Sequence, residues 1–361
     1  MRSNLAFGVL LACGAAAACQ LLAGIDDRTV ADAGVDGDAG TPDVVDPCTQ
    51  TGVPNAPDQS TSSPSDAVTL TAALSQIYLG QTDGGPYYGF NLDGTCTCPG
   101  PDSCTRSGGQ ACDDPGGIDN YARRIFETVN EFDQAEGGLI TEAKFNDALQ
   151  TGASGALIQI SDYNGNADAA AVTVTVYASL GFEGYPSKPA FDGGDRWTID
   201  QASAGGTFTT SNAYVAGYQL VASLDSFPII VGTQLTQPVK IQLDSGLISA
   251  HIDMSGGKFN GLSGTLGGRW DPAKFLPSLQ DIPDPAASGR YLCGDSGTYQ
   301  VLKAIICANT DVNASPTVQN GICNAVSMGL NFDAKPAMLG DAGPSADAAT
   351  PCGLGWTDHC Q

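Results

Sequence analysis

Histidine is nearly absent: His251 and His359 are the only two in 361 residues. Triad hydrolysis needs an imidazole base, and zinc hydrolases usually need several imidazoles, so neither class is well supplied. Basic residues are scarce too, with 15 Lys and Arg against 39 Asp and Glu and a net charge of −24. Such a surface repels phosphate backbones, which argues against nucleic acid as a partner, and it excludes electrostatic docking to anionic lipid. Glutamate is rare where aspartate is not, five against 34. Aspartate is poor inside helices and good in turns and caps. With 46 Gly and 21 Pro, the chain reads as loop-rich and mostly β. A hydrophobic fraction of 42% still supports a core. The apolar run near the start is too short to remain a membrane-spanning helix.

That run has a specific setting. Met1-Arg2-Ser3-Asn4 precedes Leu5-Ala6-Phe7-Gly8-Val9-Leu10-Leu11, and Ala15-Ala16-Ala17-Ala18-Cys19 closes it. A positive start, an apolar stretch and small residues at a break have the form of a secretory signal. The segment resembles a bacterial lipoprotein signal. The resemblance implies that residues 1–18 are removed and that Cys19 is lipidated as the new N-terminus. Cys13 competes, but cleavage there leaves a short signal core. Removing Cys13 and acylating Cys19 also leaves ten of the 12 cysteines, an even set. Gln20, being non-acidic, implies by the same resemblance an outer-membrane anchor in the cell envelope, facing periplasm or surface. Ordinary secretion is the alternative. The lipid is then the only membrane contact.

Residues 19–66 read as a lipid anchor and a disordered acidic linker rich in Pro, Ala and Gly. A flexible chain of that length spans roughly 35–40 Å. Residues 67–340 read as a single β-rich domain, and 341–361 as a low-complexity tail ending in a cysteine-bounded segment. Val68 to Leu79 is apolar with a period ambiguous between strand and helix. Ile118, Tyr121, Ala122, Ile125, Phe126, Val129 and Phe132 form one helical stripe that Asp119 can cap. A second helix starts near Thr141, packs Phe145 and Leu149, and stops at Gly152. Val172, Val174 and Val176 alternate with Thr173, Thr175 and Tyr177 as a half-buried strand. Further strands are expected at 213–223, 228–232, 238–243, 247–254 and 258–266. Short helices are expected at 299–308 and 322–330. The expected fold is mostly β (α+β): an antiparallel sandwich or barrel-like sheet with two early helices and short C-terminal ones, stapled by disulfides.

The staples are Cys48, Cys96, Cys98, Cys104, Cys112, Cys293, Cys307, Cys323, Cys352 and Cys360. Proximity suggests 307 with 323, 352 with 360, two bridges within 96–112, and 48 with 293. Zinc is the rival reading, but the spacing lacks two C-x-x-C pairs, and an exported chain favours disulfides.

Several segments imitate known chemistry. Cys293-Gly294-Asp295-Ser296-Gly297 is similar to the nucleophile loop of chymotrypsin-like proteases, without that family's histidine context. Ser296 reads better as a turn residue beside a disulfide. Gly261-Leu262-Ser263-Gly264-Thr265 falls one residue short of a nucleophile elbow. The best metal candidate is Asp162, Asn164, Asn166 and Asp168, whose oxygens at alternate positions suit Ca2+; a tight Asn-Gly hairpin turn competes. Asp113 to Asn120 offers a weaker version, read as a turn followed by a helix cap. Tyr87, Tyr88, Trp197, Trp270 and Trp356 are candidates for a carbohydrate platform, against the commoner reading as core.

Three stretches, Cys19-Gln20-Leu21-Leu22-Ala23-Gly24-Ile25-Asp26-Asp27, Asn91-Leu92-Asp93-Gly94-Thr95-Cys96 and Gly117-Ile118-Asp119-Asn120, resemble uncharacterised bacterial exported lipoproteins with an acidic linker and a cysteine-bearing β-rich domain. The resemblance implies an address and no catalytic residue. The sequence therefore points to a surface binding or structural module without catalytic residues, with a glycan or envelope-protein ligand and calcium as the one candidate cofactor. A hydrolase acting on polysaccharide or peptidoglycan through paired carboxylates is the alternative.

Overall fold

The computed structural model describes residues 48, 52–58, 67–80, 86–98, 100, 102–106, 112–132, 141–231, 239–284, 286–287, 289–318, 321–344, 352–353 and 356–360. All fall within one unit, Val45–Gln361. The signal segment, Cys19 and most of the acidic linker lie outside the described residues.

The chain forms β1 (Val68–Tyr78), α1 (Ala122–Phe132), α2 (Glu142–Thr151), β2 (Gly155–Tyr163), β3 (Thr173–Phe182), β4 (Arg196–Asp200) and α3 (Gln201–Ala204). Then come β5 (Thr209–Thr210), β6 (Ala213–Ala216), β7 (Gln219–Val231), β8 (Val239–Asp253), β9 (Gly261–Trp270) and α4 (Pro272–Phe275). The last elements are α5 (Gly297–Ala308), β10 (Val326–Pro336) and β11 (Met338–Gly343). One sheet runs in the order β11-β4-β3-β2-β1-β10-β9-β8-β7-β6, with β5 added beside β3. Neighbours are antiparallel except β11 and β4.

Alternation decides which face is dry. Val174 and Val176 of β3 share one core with Leu70, Ala72 and Leu74 of β1 and Leu220, Ala222 and Leu224 of β7. Strands far apart in sheet order thus meet across a common interior, so the sheet curls around its apolar face. Its β6 edge is bonded to the chain entering β3, through Ala169 with Val215 (2.9 and 2.8 Å) and Val172 N–H to Ala213 O (3.0 Å). The sheet is mostly β and antiparallel, as expected. The segment expected as a helix at 322–330 is largely strand β10. Its Met328, Leu330, Phe332 and Ala334 point to the core, with Ser327, Gly329, Asn331 and Asp333 between them. A period of two between two strand partners overrides the apolar run. β11 also carries regular structure past residue 340, where only tail was expected.

The second helix matches its reading closely. Thr141 Oγ1 accepts the Lys144 N–H at 3.3 Å, and Gly152 ends the helix at φ 75°, a left-handed turn suited to glycine. The helix also has a task that sequence did not suggest. β2 pairs with β1 only as far as Ala73, so the β1 backbone beyond it loses a partner on that side. Buried Asn146 of α2 replaces it. Its Oδ1 accepts the Ile77 N–H at 2.7 Å and its Nδ2 donates to Ile77 O at 2.9 Å. Glu142 Oε2 accepts the Leu79 N–H at 2.9 Å.

The cysteine pairs are 48–96, 98–112, 104–323, 293–352 and 307–360. The expected 307–323, 352–360 and 48–293 pairs are corrected, and the 96–112 cluster holds one internal bridge rather than two. Contact in space decides. Thr105 N–H donates to Gly321 O at 2.7 Å and Cys323 N–H to Thr105 O at 2.8 Å, which sets Cys104 beside Cys323. That bridge closes a separation of 219 residues, worth about 5 kcal/mol on a chain-entropy treatment. Two bridges tie the C-terminal segment back to Cys293 and Cys307, and one ties Cys48 of the linker to Cys96. Such a set fits an oxidising, extracytoplasmic compartment. Among the described residues, no helix is long and apolar enough to cross a membrane.

Replacing Asn146 by Ala orphans a buried N–H and a buried C=O, and the expected loss is roughly 2–4 kcal/mol in urea unfolding. Asn146→Asp should fare no better, because its second oxygen faces Ile77 O. A loss below 0.5 kcal/mol for both would contradict the assigned role.

Candidate functional site

Gly329 of β10 and Gly267 of β9 sit opposite each other in register and leave a bare spot on the sheet. The loop at 88–90 seats on it. A Cβ at Gly329 would lie 2.4 Å from Tyr88 O and Gly89 Cα, and one at Gly267 3.0 Å from the Phe90 ring. Asn120 fixes the seat. Its Nδ2 donates to Tyr88 O (2.7 Å) and Gly329 O (2.9 Å), and its Oδ1 accepts the Gly329 N–H at 3.1 Å. Here too a carboxamide replaces an absent strand, because β1 pairs with β10 only from Asn331 onward.

The seated loop forms one wall of an open cleft of about 500 Å³. Phe90, Asn91 and Ile118 line that side, and Gln219, Ser249 and Thr265 line the sheet side. The polar groups are fixed by hydrogen bonds within the chain. Gln219 Nε2 donates to Ser249 Oγ at 2.9 Å, Thr265 Oγ1 to Asn331 Oδ1 at 2.9 Å, and Asn91 Nδ2 to Cys48 O at 2.5 Å. Among the described residues that line the cleft, none is charged. The chain as a whole carries 39 Asp and Glu.

Behind the wall lies the reverse: a buried group of carboxyls. Asp119 is 2% exposed. Its Oδ2 accepts the N–H of Leu92 (2.6 Å) and of Asp93 (3.3 Å), while its N–H donates to Phe90 O at 3.0 Å. It does not cap α1, as its sequence position suggested; it stitches the wall together. Asp311 is fully enclosed and accepts Ser327 N–H (2.7 Å) and Oγ–H (2.5 Å), closing the same β10 edge. Burial pushes Asp311 up to about 7 and Asp113 up to about 6. It holds Asp119 well above the ordinary aspartate range, with repulsion from Asp93, Asp311 and Asp113 adding to the effect.

The calcium candidates occupy the β2–β3 turn. Asp162 Oδ2 accepts Thr173 Oγ1–H (2.7 Å), Asn164 Oδ1 accepts the Asn166 N–H (2.9 Å), Asn164 Nδ2 donates to Asp168 O (2.9 Å), and Asp168 Oδ1 accepts the Gly217 N–H (2.8 Å). The Asp162, Asn164 and Asp168 side chains are thus engaged in shaping or anchoring the turn, as is the Asn166 backbone. Among the described residues, no three carboxylate, imidazole or thiolate side chains stand close enough to hold one metal.

Ser296 caps α5: its hydroxyl donates to Asp284 Oδ2 at 2.6 Å and accepts the Tyr299 N–H at 3.2 Å. Ser263 lies within β9, with no strand-to-helix elbow. Trp197 and Trp270 are fully buried, which removes them from any carbohydrate platform. Trp356 packs edge-on against Tyr299 at 5.3 Å, Tyr87 lies under Arg123, and Tyr88 faces Tyr78. The cleft residues escaped sequence reading for a simple reason. Gln219, Ser249 and Thr265 are ordinary outward positions on three strands, and only their alignment across the sheet makes a surface. Asn91 was visible only as part of a resembling stretch.

Compared with known protein families, curated proteins and solved structures, the chain matches none of them.

Gly329→Ala should unseat the 88–93 loop. The expected result is a lower melting temperature with faster amide exchange at 88–93 while β2 and β3 stay protected. Unchanged exchange there would show that the loop does not depend on the bare spot.

Proposed function

We propose that the chain is a lipid-anchored module of the bacterial cell envelope that binds an uncharged, hydroxyl-rich ligand, a glycan, in the cleft between the 88–91 loop and strands β7–β9. The uncharged cleft on a strongly acidic chain carries this reading. Amides and hydroxyls fixed by their own hydrogen bonds suit sugar hydroxyls, while the surrounding negative charge disfavours anionic ligands. The five disulfides accord with an exported protein, and Cys19 provides the anchor, so that binding is held at the envelope.

The test uses the mature chain with Cys19→Ser, oxidised and released from membrane, against chitohexaose, cellohexaose, maltohexaose and an acidic oligogalacturonate. A neutral oligosaccharide should bind and the acidic one should not. Gln219→Ala should weaken binding about fivefold, the worth of one hydrogen bond. Preference for the acidic sugar, or no binding by any, counts against the reading and favours an envelope-protein partner.

Labelled palmitate should enter the wild-type chain and the Cys13→Ser chain but not Cys19→Ser. Calcium at Asp162 and Asp168 should raise the melting temperature by several degrees in millimolar Ca2+ relative to EGTA, since a ligand bound only by the folded state stabilises it. Equal melts assign those residues to the turn alone.

A further inference from the structure

One buried oxygen behind the cleft wall has no partner. Asp119 Oδ1 is enclosed and meets no hydrogen-bond donor, while its Oδ2 accepts two N–H groups. Asp113, whose own Oδ2 accepts the Thr97 N–H at 2.6 Å, lies within hydrogen-bonding reach of the Asp119 side chain. Both border, with Asp311, a cavity of about 10 Å³, room for one water at most and not for a hydrated ion. Two carboxylates this close in a dry site cannot both stay ionised, and one proton between them satisfies the orphan oxygen.

We propose that Asp119 is a neutral carboxylic acid in the folded protein, donating from Oδ1–H to Asp113, and that this proton holds the cleft wall and makes ligand binding pH-sensitive. The last step rests on the cleft reading above; the proton pair does not.

The charges around the pair come from every neighbouring element. Asp93 stands on the wall itself, Asp114 follows Asp113, and Asp311 precedes β10. Arg106 meets Asp113 at 3.9 Å, Arg123 meets Asp114 at 3.0 Å, Arg124 reaches Cys112 O at 3.3 Å, and Arg269 of β9 donates to Leu92 O at 2.5 Å. Among the described residues, no ion pair reaches Asp119. Four arginines therefore moderate the group without neutralising the one carboxyl that ties Phe90, Leu92 and Asp93 together. When Asp119 ionises, repulsion from Asp93, Asp113 and Asp311 acts directly on that tie.

The sign follows from linkage. The folded protein keeps a proton that the unfolded chain would release. The stability so gained is complete below the ordinary aspartate range, about 4, and is lost as pH rises through the raised folded value. The melting temperature of the mature chain should fall by several degrees between pH 5 and pH 8. Asp119→Asn keeps the shape of the neutral acid, with Nδ2–H toward Asp113 and Oδ1 for the two N–H groups. It should flatten that dependence and equal or exceed wild type at pH 8. Asp311→Asn is the control and should retain the Asp119 share.

A wild type with no slope, or an Asn variant with the full wild-type slope, overturns the proposal. Should the Asn variant fail to fold, wild-type protein labelled at the aspartate 13Cγ decides. A carboxyl that stays a neutral acid well above the ordinary aspartate range, in addition to Asp113 and Asp311, supports the pair, and the absence of such a third carboxyl overturns it. In the binding arm, affinity for whichever neutral hexasaccharide binds should drop several-fold from pH 5 to pH 8 in wild type and not in Asp119→Asn. Flat binding beside shifting melts overturns the link to the cleft. Shifting melts with no sugar bound at any pH support the pair and remove the glycan reading.

Discussion

Wherever two strands of a curved sheet separate, backbone N–H and C=O groups are left facing an interior without water, and each must find a partner or cost about 1–3 kcal/mol. β2 leaves β1 after Ala73, and β1 reaches β10 only at Asn331. Three side chains fill those gaps: Asn146 on Ile77, Asn120 on Gly329 and Asp311 on Ser327. A carboxamide presents one donor and one acceptor with the spacing of a peptide group, which makes asparagine the natural substitute. These plugs set the position of α2, of the start of α1 and of the segment before β10. The cleft wall leans on the second of them.

The same economy accounts for two opposite uses of aspartate. Several described aspartates lie at turns and caps, where they accept local N–H groups, as Asp192, Asp200, Asp253 and Asp271 do. The β2–β3 turn, the Asp284–Ser296 cap and the Asp253 turn are of this kind. A minority are buried beside arginine, and there desolvation raises their affinity for a proton. The result is a contrast between the uncharged described lining of the cleft in front and the buried carboxyls behind.

Disulfides supply what short elements cannot. The described residues of 86–119 belong to no long strand or helix, and those of 283–325 hold only α5; each stretch carries cysteines bridged to another part of the chain. The terminal segments are drawn in by the same means, Cys48 to the wall loop and Cys352 and Cys360 to the region of α5. Part of the linker therefore sits against the domain: Gly52 lines the cleft, and Tyr214 OH donates to Pro54 O.

The sequence by itself determined what depends on neighbours along the chain. Period-two runs announced β3 and a mostly β, antiparallel fold, Thr141 and Gly152 marked both ends of α2, and the export-like start with an even cysteine set pointed to disulfides. Tertiary structure decided whatever depends on distance in space. It paired Cys104 with Cys323, outside the 96–112 cluster, and made most of the helix expected at 322–330 a strand between two others. It also changed Asp119 from a helix cap into a buried stitch and aligned Gln219, Ser249 and Thr265 into one surface. Alternation tells a residue which face it occupies but not which strand will lie beside it, and a carboxyl takes its chemistry from the burial that only the finished fold imposes.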